Sequence, residues 1–431
     1  MERIYMLGKL LKHNRIKQRK KQEEICSGIC SVSYYSKIEN NKIIPAEDVL
    51  MKLMERLNLS RSDLKKMDHQ EIKKKLLNWH ISIIKGNVED TVKMRTDLSE
   101  QIDYFQDQDL HLLYLLFEAR LEVANENITR LEKILEEISN FSLEEAAEDI
   151  KFYYEKTLMS IYIFYEKYDK ARGHACHASD YSETIVLPEE EMADMYVSIA
   201  KIALQVGDYS IAMDVAGRAI AVYDQQYNLE QSGACRVILA KAFRKVHKFS
   251  RAEKELEKAE TIGLQTENRR LQAQVLQHRG ELYAQMGKQM EAVRCFQQSY
   301  RMREGRDRLI TIYKILQQFE NIGSEQDILS WVDHGKETIA DMRSGQGIIP
   351  YDERFEWIFR YYSLAYDKKE RDDFEEEMKE FIIPFFTDLE DWKATAYYTE
   401  KLAACLEKEK RFDESVHWYK KSNEAFRRCL K

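Results

Sequence analysis

Residues 192–223 read MADMYVSIAKIALQVGDYSIAMDVAGRAIAVY, and this stretch decides the fold. Tyr196, Ile199, Ala200 and Ala203 recur at helical spacing in its first half. Gly207-Asp208-Tyr209 makes a turn, and Ala212, Ala216 and Ala219 then mark one side of a second helix. Small residues there let two helices approach closely, while an aromatic fills the space at the turn. Such a helix–turn–helix unit cannot bury its apolar face alone and must stack on another.

The rest of the chain supplies the neighbours. Thr91, Leu131, Ala171, Ala212, Ala252 and Ala292 are separated by steps of 40, 40, 41, 40 and 40 residues, each a few positions after a short turn. Leu239, Ala240 and Phe243 lead to Phe249, Ala252, Leu256 and Ala259; Leu276, Gly280 and Tyr283 lead to Ala292, Phe296 and Ser299. Ala403 and Leu406 lead to Phe412, Ser415, Tyr419 and Ser422 near the end. The small and aromatic positions resemble the tetratricopeptide (TPR) repeat, with a period above the usual ~34 residues. The longer period suits the long-helix TPR variety of bacterial peptide-sensing regulators.

Four prolines and fifteen glycines in 431 residues, with 33% charged and 44% hydrophobic residues, predict an all-α protein. The seven cysteines have no zinc-ribbon spacing and no secreted-domain framework, so reduced thiols in a cytoplasmic protein are expected. No leader pattern opens the sequence, no apolar run reaches the ~18 residues of a membrane span, and no membrane partner is expected. The net charge of −8 is uneven: residues 1–66 hold 15 Lys+Arg against 8 Asp+Glu, a net of +7, leaving 52 against 67, a net of −15, for the remainder. A basic head on an acidic body points to nucleic acid as a partner of the head alone.

Within that head, Leu7, Leu10 and Leu11 form an apolar helical stripe that ends at the run Lys17–Lys21. A short helix, Gln22 to Cys26, is broken by Gly28; Ser31 or Ser33 caps a third helix reaching Asn40, with Tyr35 and Ile38 turned inward. Pro45 is expected to start a fourth helix, in which Val49, Leu50, Leu53, Met54 and Leu57 face the core. Two short helices around a tight turn in a basic domain describe a helix-turn-helix DNA binder.

Leu7-Gly8, Arg15, Gln22-Glu23-Glu24-Ile25, Gly28-Ile29-Cys30, the run Ser33 to Asn40 and Pro45 resemble the phage-repressor (Xre/Cro) helix-turn-helix. Joined to a TPR array, the head resembles the Rap/Rgg/NprR/PlcR/PrgX family of quorum-sensing regulators, its layout most like the NprR type. The resemblance implies a head over residues 1–66 and, over 67–431, a right-handed TPR-like α-solenoid of about nine helix pairs, irregular at 324–390. It implies a homodimer or higher oligomer on a double-stranded DNA operator, controlled by a short signalling peptide, with a response regulator as an alternative partner.

The third helix is then expected to read base edges through Val32, Ser33 and Lys37, with Tyr34 and Ser36 beside them. Gln22 at a helix start and Arg15 are expected at phosphates; Glu39 is expected to be structural. In the array, the face of successive first helices is expected to hold the peptide. Its residues are Asp194, Val197, Lys201 and Gln205, then Val237, Lys241 and Arg244, then Gln274, Gln277 and Glu281, then Tyr313 and Gln317. Amides there pair with a peptide backbone, Lys201, Lys241 and Arg244 with a C-terminal carboxylate, and Asp194 or Glu281 with an amino terminus.

Residues 324–390 fit the period poorly. Ile328, Trp331 and Val332 suggest one helix, Ser344 to Gly347 with Pro350 a loop, and Phe355 to Tyr362 the start of another helix. A helix after Asp372–Glu377 is expected to end near Pro384. No phosphate loop, His-Glu-x-x-His motif or nucleophile elbow is present, so neither an enzyme nor a cofactor is expected. His174, Cys176 and His177 are the densest group of metal-capable residues; with no further ligand nearby, a packing helix is the better reading.

Overall fold

The computed structural model describes residues 8, 11, 12, 14–40, 42–59, 61–86, 88–105, 107–344 and 353–429. These form helices and, among the described residues, no strand. Two compact units divide the chain, Met1–Ser198 and Ile199–Lys431. No helix among the described residues is long and apolar enough to cross a membrane.

The first unit begins with the head. Helix α1 (Gln22–Cys26) starts where the Lys21 backbone N–H donates to the Glu24 carboxylate over 2.7 Å. Gly28 turns the chain at φ +72°, and α2 (Val32–Glu39) starts at Ser31, whose Oγ accepts the Tyr34 N–H over 3.2 Å. Helix α3 (Glu47–Arg56) is capped by Ala46, so Pro45 stands before the cap rather than inside the helix. Leu11, Ile25, Cys26, Tyr35, Ile38, Leu53, Met54 and Leu57 form the small core, with Val49 and Leu50 partly buried against it.

Helix pairs follow. They are α4 (Arg61–Lys85) with α5 (Val88–Phe105), α6 (Gln108–Ala124) with α7 (Ile128–Ile138), and α8 (Glu148–Phe164) with α9 (Tyr168–Ser182). Helix α10 (Glu189–Val206) runs across the boundary between the units and pairs with α11 (Tyr209–Gln225). The second unit continues with α12 (Leu229–Lys245), α13 (Phe249–Gln265), α14 (Arg269–Gln285), α15 (Gln289–Met302), α16 (Gly305–Ile322), α17 (Glu325–Ser344) and α18 (Arg354–Tyr366). After a 3₁₀ turn at Arg371–Asp373 come α19 (Phe374–Glu377), a π-turn at Met378–Ile382, α20 (Ile383–Asp388), α21 (Trp392–Lys408) and α22 (Phe412–Cys429).

The backbone explains the period. The turn inside each of the first six pairs contains one residue in the left-handed region: Gly86, Glu126, Glu166, Gly207, His247 and Gly287. Their spacing repeats the 40- and 41-residue steps of the sequence. Each such residue ends a helix by turning the last N–H groups back onto free carbonyls. At Lys248 and Lys288 the N–H bonds to Phe243 O and Tyr283 O, both over 2.9 Å. The six landing residues Thr91, Leu131, Ala171, Ala212, Ala252 and Ala292 are all no more than 1% exposed, at the helix contacts.

Packing in the irregular region is aromatic. Phe355, Phe359, Tyr361, Tyr362, Phe374, Phe386 and Tyr398 join Leu309, Ile312 and Ile315 in one core. Of the loop expected at Ser344 to Gly347 with Pro350, Ser344 ends α17 and the rest lies outside the described residues. Pro384 corrects one boundary: it sits in the first turn of α20 rather than at a helix end. Proline has no N–H to give, and the π-turn before it shifts the hydrogen-bond register so that none is required.

Candidate functional site

In the head, α2 presents Val32, Ser33 and Lys37 to solvent, with Tyr34 and Ser36 half-buried. Behind this face lies Glu39, only 2% exposed. Its carboxylate accepts Arg15 Nε over 2.6 Å and Nη2 over 3.0 Å, and Gln22 Nε2 over 2.7 Å. Burial alone would raise the Glu39 pKa; the Arg15 and Gln22 hydrogen bonds outweigh it and hold the carboxyl below its usual range. Arg15 and Gln22, expected at phosphates, are therefore engaged with this inner carboxylate. A buried charge is tolerated only when paired and hydrogen-bonded, and these two side chains meet that need. Arg15 also donates to Lys20 O over 3.1 Å, and Gln18 donates to Leu57 O over 2.7 Å, tying the first helical segment to the end of α3.

The array residues divide. Val237, 4% exposed, packs in a core with Ala240, Leu256 and Leu271, and Val197 is 9% exposed. Asp194 is held by Arg120, over 3.1 and 3.2 Å, and by Lys156 over 2.9 Å. Lys201 and Gln205 are exposed; Gln274, Tyr313 and Gln317 are half-buried.

Asp194 belongs to a buried network of the first unit. Glu191, fully buried, bonds His80 Nδ1 over 2.6 Å and Lys156 Nζ. His80 stacks on Phe117, with centroids 4.2 Å apart. Burial pushes His80 below its ordinary range. Burial opposes ionisation of Glu191, but His80 and Lys156 win and set its carboxyl at about 2. Helices α4, α6, α8 and α10 are joined here, and nothing in the local sequence spacing showed it.

The second unit gathers a different group. On α12 and α14, Arg244 Nη2 bonds Glu281 over 2.6 Å, and His278 Nδ1 lies 3.2 Å from the same carboxylate. Burial first, and then Arg244, Lys201 and Lys245, push Lys241 below the usual lysine range against the pull of Glu281. Lys314 on α16 is lowered by burial and then by Lys393, Arg244 and Lys245. Sequence spacing found Lys201, Lys241, Arg244 and Glu281. It missed Lys245, one helical turn after Lys241, and Lys314, which adjoins Tyr313. Lys393 is more than a hundred residues from Lys241 along the chain, and only folding brings it near.

Elsewhere, His174 and His177 both approach Glu155, at 2.6 and 3.4 Å. Among the described residues, no group of three metal-capable side chains forms a site.

An exposed second helix of a helix-turn-helix, locked from behind and followed by TPR-type helix pairs, defines a DNA-binding helical-repeat protein. A helix-turn-helix family model matches residues 11–64. The model for response regulator aspartate phosphatase H, N terminal, matches residues 66–126. The chain is 25% identical over 410 residues to transcriptional activator NprA of Geobacillus stearothermophilus, covering 94% of this chain and all of that one. Regulatory protein RapG of Bacillus subtilis (strain 168) is 26% identical over 233 residues, 53% of this chain and 63% of its own. Among solved structures, a Rap protein complexed with competence and sporulation factor superposes with a TM-score of 0.68 at 15% identity, over 83% of this chain and 98% of that one. The apo form of the quorum sensor NprR from B. thuringiensis gives 0.66 at 15% identity, over 83% and 99%. The structural likenesses carry the fold; the sequence matches run in the order of this chain. In the order of its matches and in fold, the chain is similar to the NprA, Rap and NprR regulators.

Proposed function

We propose that this protein is a peptide-responsive, DNA-binding transcription regulator of the cytoplasm, acting as a homodimer on a two-fold operator. The observation that carries the reading is α2: Ser33 and Lys37 are exposed in its first and last turns, while Arg15, Gln22 and Glu39 fix it from behind. A helix held this way enters the major groove with its backbone already ordered, so that only the base-reading side chains lose freedom on binding. Lys37 donates to a base acceptor, Ser33 to a base or phosphate, and the exposed Lys17 and Lys21 neutralise the backbone. A short peptide occupies the first-helix face of the array and shifts the balance between two arrangements of the heads, because it binds one better than the other. The relatives fit this reading: one is named a transcriptional activator, and NprR has been solved with its cognate peptide NprX.

The match over residues 66–126 favours a second activity, binding of a response regulator through the helices after the head. Fluorescence anisotropy of labelled DNA from upstream of the gene, with and without a synthetic peptide from a neighbouring small secreted protein, tests the first reading. Salt-dependent binding that changes with peptide supports it. No specific binding in either condition would leave the second activity as the main one.

A further inference from the structure

The Glu281 region is rich in donors and poor in acceptors. Lys241, Arg244, Lys245 and Lys314 share the Glu281 carboxylate, with Lys201 near Lys241 and Lys393 near Lys245 and Lys314. Six positive charges against one negative leave a net of +5, because burial pushes His278 toward its neutral form. Like charges at this density repel, and burial strengthens the repulsion.

Hydrogen bonding tells the same story independently. Gln277 is 3% exposed and one turn before Glu281 on α14; its Oε1 accepts from Thr311 Oγ1 over 3.0 Å, but its Nε2 has no partner among the described residues. Arg244 is 9% exposed, and its Nε is likewise without a partner among them. Half-buried Lys241 and exposed Lys245 and Lys393 make no hydrogen bond or ion pair among the described residues, and water solvates the exposed two. A buried N–H left unpaired is costly, so a surface built this way is completed by acceptors from outside.

We propose that this surface selects an acidic peptide, one bringing a side-chain carboxylate in addition to its C-terminal carboxylate to Lys241, Arg244, Lys245, Lys314 and Lys393. The inference rests on the peptide-sensor reading and narrows its ligand. One C-terminal carboxylate balances only one of five excess charges, and a basic peptide would add to them. The Gln277 amide and the Arg244 Nε take a carbonyl or the second carboxylate oxygen. Glu281 holds the Arg244 guanidinium in place through its 2.6 Å contact. A peptide fits better than an inorganic polyanion, because the half-buried amide of Gln317, whose Oε1 accepts from Lys314 Nζ over 3.4 Å, keeps an N–H group for a backbone carbonyl.

The test equilibrates the full-length protein with a random heptapeptide library carrying free C-termini, and sequences the retained peptides by mass spectrometry. The wild type is expected to enrich Asp or Glu at one or more fixed positions by about tenfold, one charge-assisted contact's worth. A Lys241→Gln/Lys245→Gln variant, checked for unchanged helical content and melting, is expected to lose that enrichment. Retained peptides without acidic enrichment would overturn the inference and leave the peptide sensor standing. Enrichment that survives in the double variant would overturn this placement. Displacement of acidic peptides by tripolyphosphate at equal concentration would mark a general anion site and overturn it too. Retention no better than by an unrelated helical protein would remove both this inference and the peptide reading beneath it.

Discussion

Lys156 is 1% exposed, yet it carries a charge, and two carboxylates, Glu191 and Asp194, account for it. Removing one member of a buried ion network leaves the others uncompensated, at a cost of about 3–5 kcal/mol. Lys156→Ala should therefore destabilise the first unit by about that amount, seen as a large fall in its urea midpoint. The same network sets a pH dependence. Glu191 sits at about 2 against an ordinary 4.5, so its contribution is present above pH 4.5 and is lost as the pH falls toward 2. His80 is held below its ordinary 6.5, so its folded form resists protonation, and stability begins to fall once the pH drops below 6.5. Melting temperatures from pH 7 to pH 3 should decline throughout and most steeply below 4.5, and Glu191→Gln should flatten the lower part. In the head, Lys37→Ala should weaken operator binding by about 1–3 kcal/mol and relax sequence preference. An anisotropy titration giving unchanged affinity would take Lys37 out of the base-reading set. These roles were unequally legible. Ser33 and Lys37 follow from the resemblance of the head to the phage-repressor helix-turn-helix, whereas Asp194 did not reveal its partner Arg120, which lies 74 residues away. The depth of Val197 and Val237 was not legible either, because a helical wheel does not say how deep the next helix packs.

Among the elements, the turns and the helix contacts impose opposite demands. Glu126 sits at φ 56°, exposed, at the end of α6, where a side chain is strained and glycine is not. Glu126→Gly should stabilise by about 0.5–1 kcal/mol after the added freedom of the unfolded chain is counted. At Gly280 the demand is space. A Cβ there would meet the Phe296 ring at 2.6 Å, and Phe296 is fully buried. Gly280→Ala should cost about 1–3 kcal/mol through overpacking. Thermal or chemical unfolding of the two variants should shift in opposite directions. The small residues of the repeat were readable in the sequence because they recur. The left-handed glutamates and histidine were not, since nothing in a Glu or His signals positive φ; their equal spacing in the structure does. Pro384 misled for a related reason: proline ordinarily closes a helix, and the π-turn that lets α20 begin beside it has no sequence signature.

Over the whole molecule, charge is partitioned, with +7 on residues 1–66 and −15 on the rest. Phosphate neutralisation by the head makes DNA affinity fall with salt, by about 0.9 in log–log slope per contact. Lys17→Gln and Lys21→Gln, both at exposed positions, should each reduce that slope by about 1 while leaving sequence preference intact. An unchanged slope in either variant would place that lysine away from the phosphates. The 40-residue period, the all-helical class, the helix-turn-helix head and the exposed residues of α2 were determined by the sequence alone. Helical periodicity and turn chemistry are local, and a repeated unit states them many times over. Only the tertiary structure decided that Arg15 and Gln22 serve Glu39, that Asp194 closes a buried network with Arg120 and Lys156, and that Lys393 joins Lys241, Lys245 and Lys314 beside Glu281. Those outcomes depend on which distant helices come to lie side by side. Burial and Coulomb interaction act through space, and separation along the chain does not measure either.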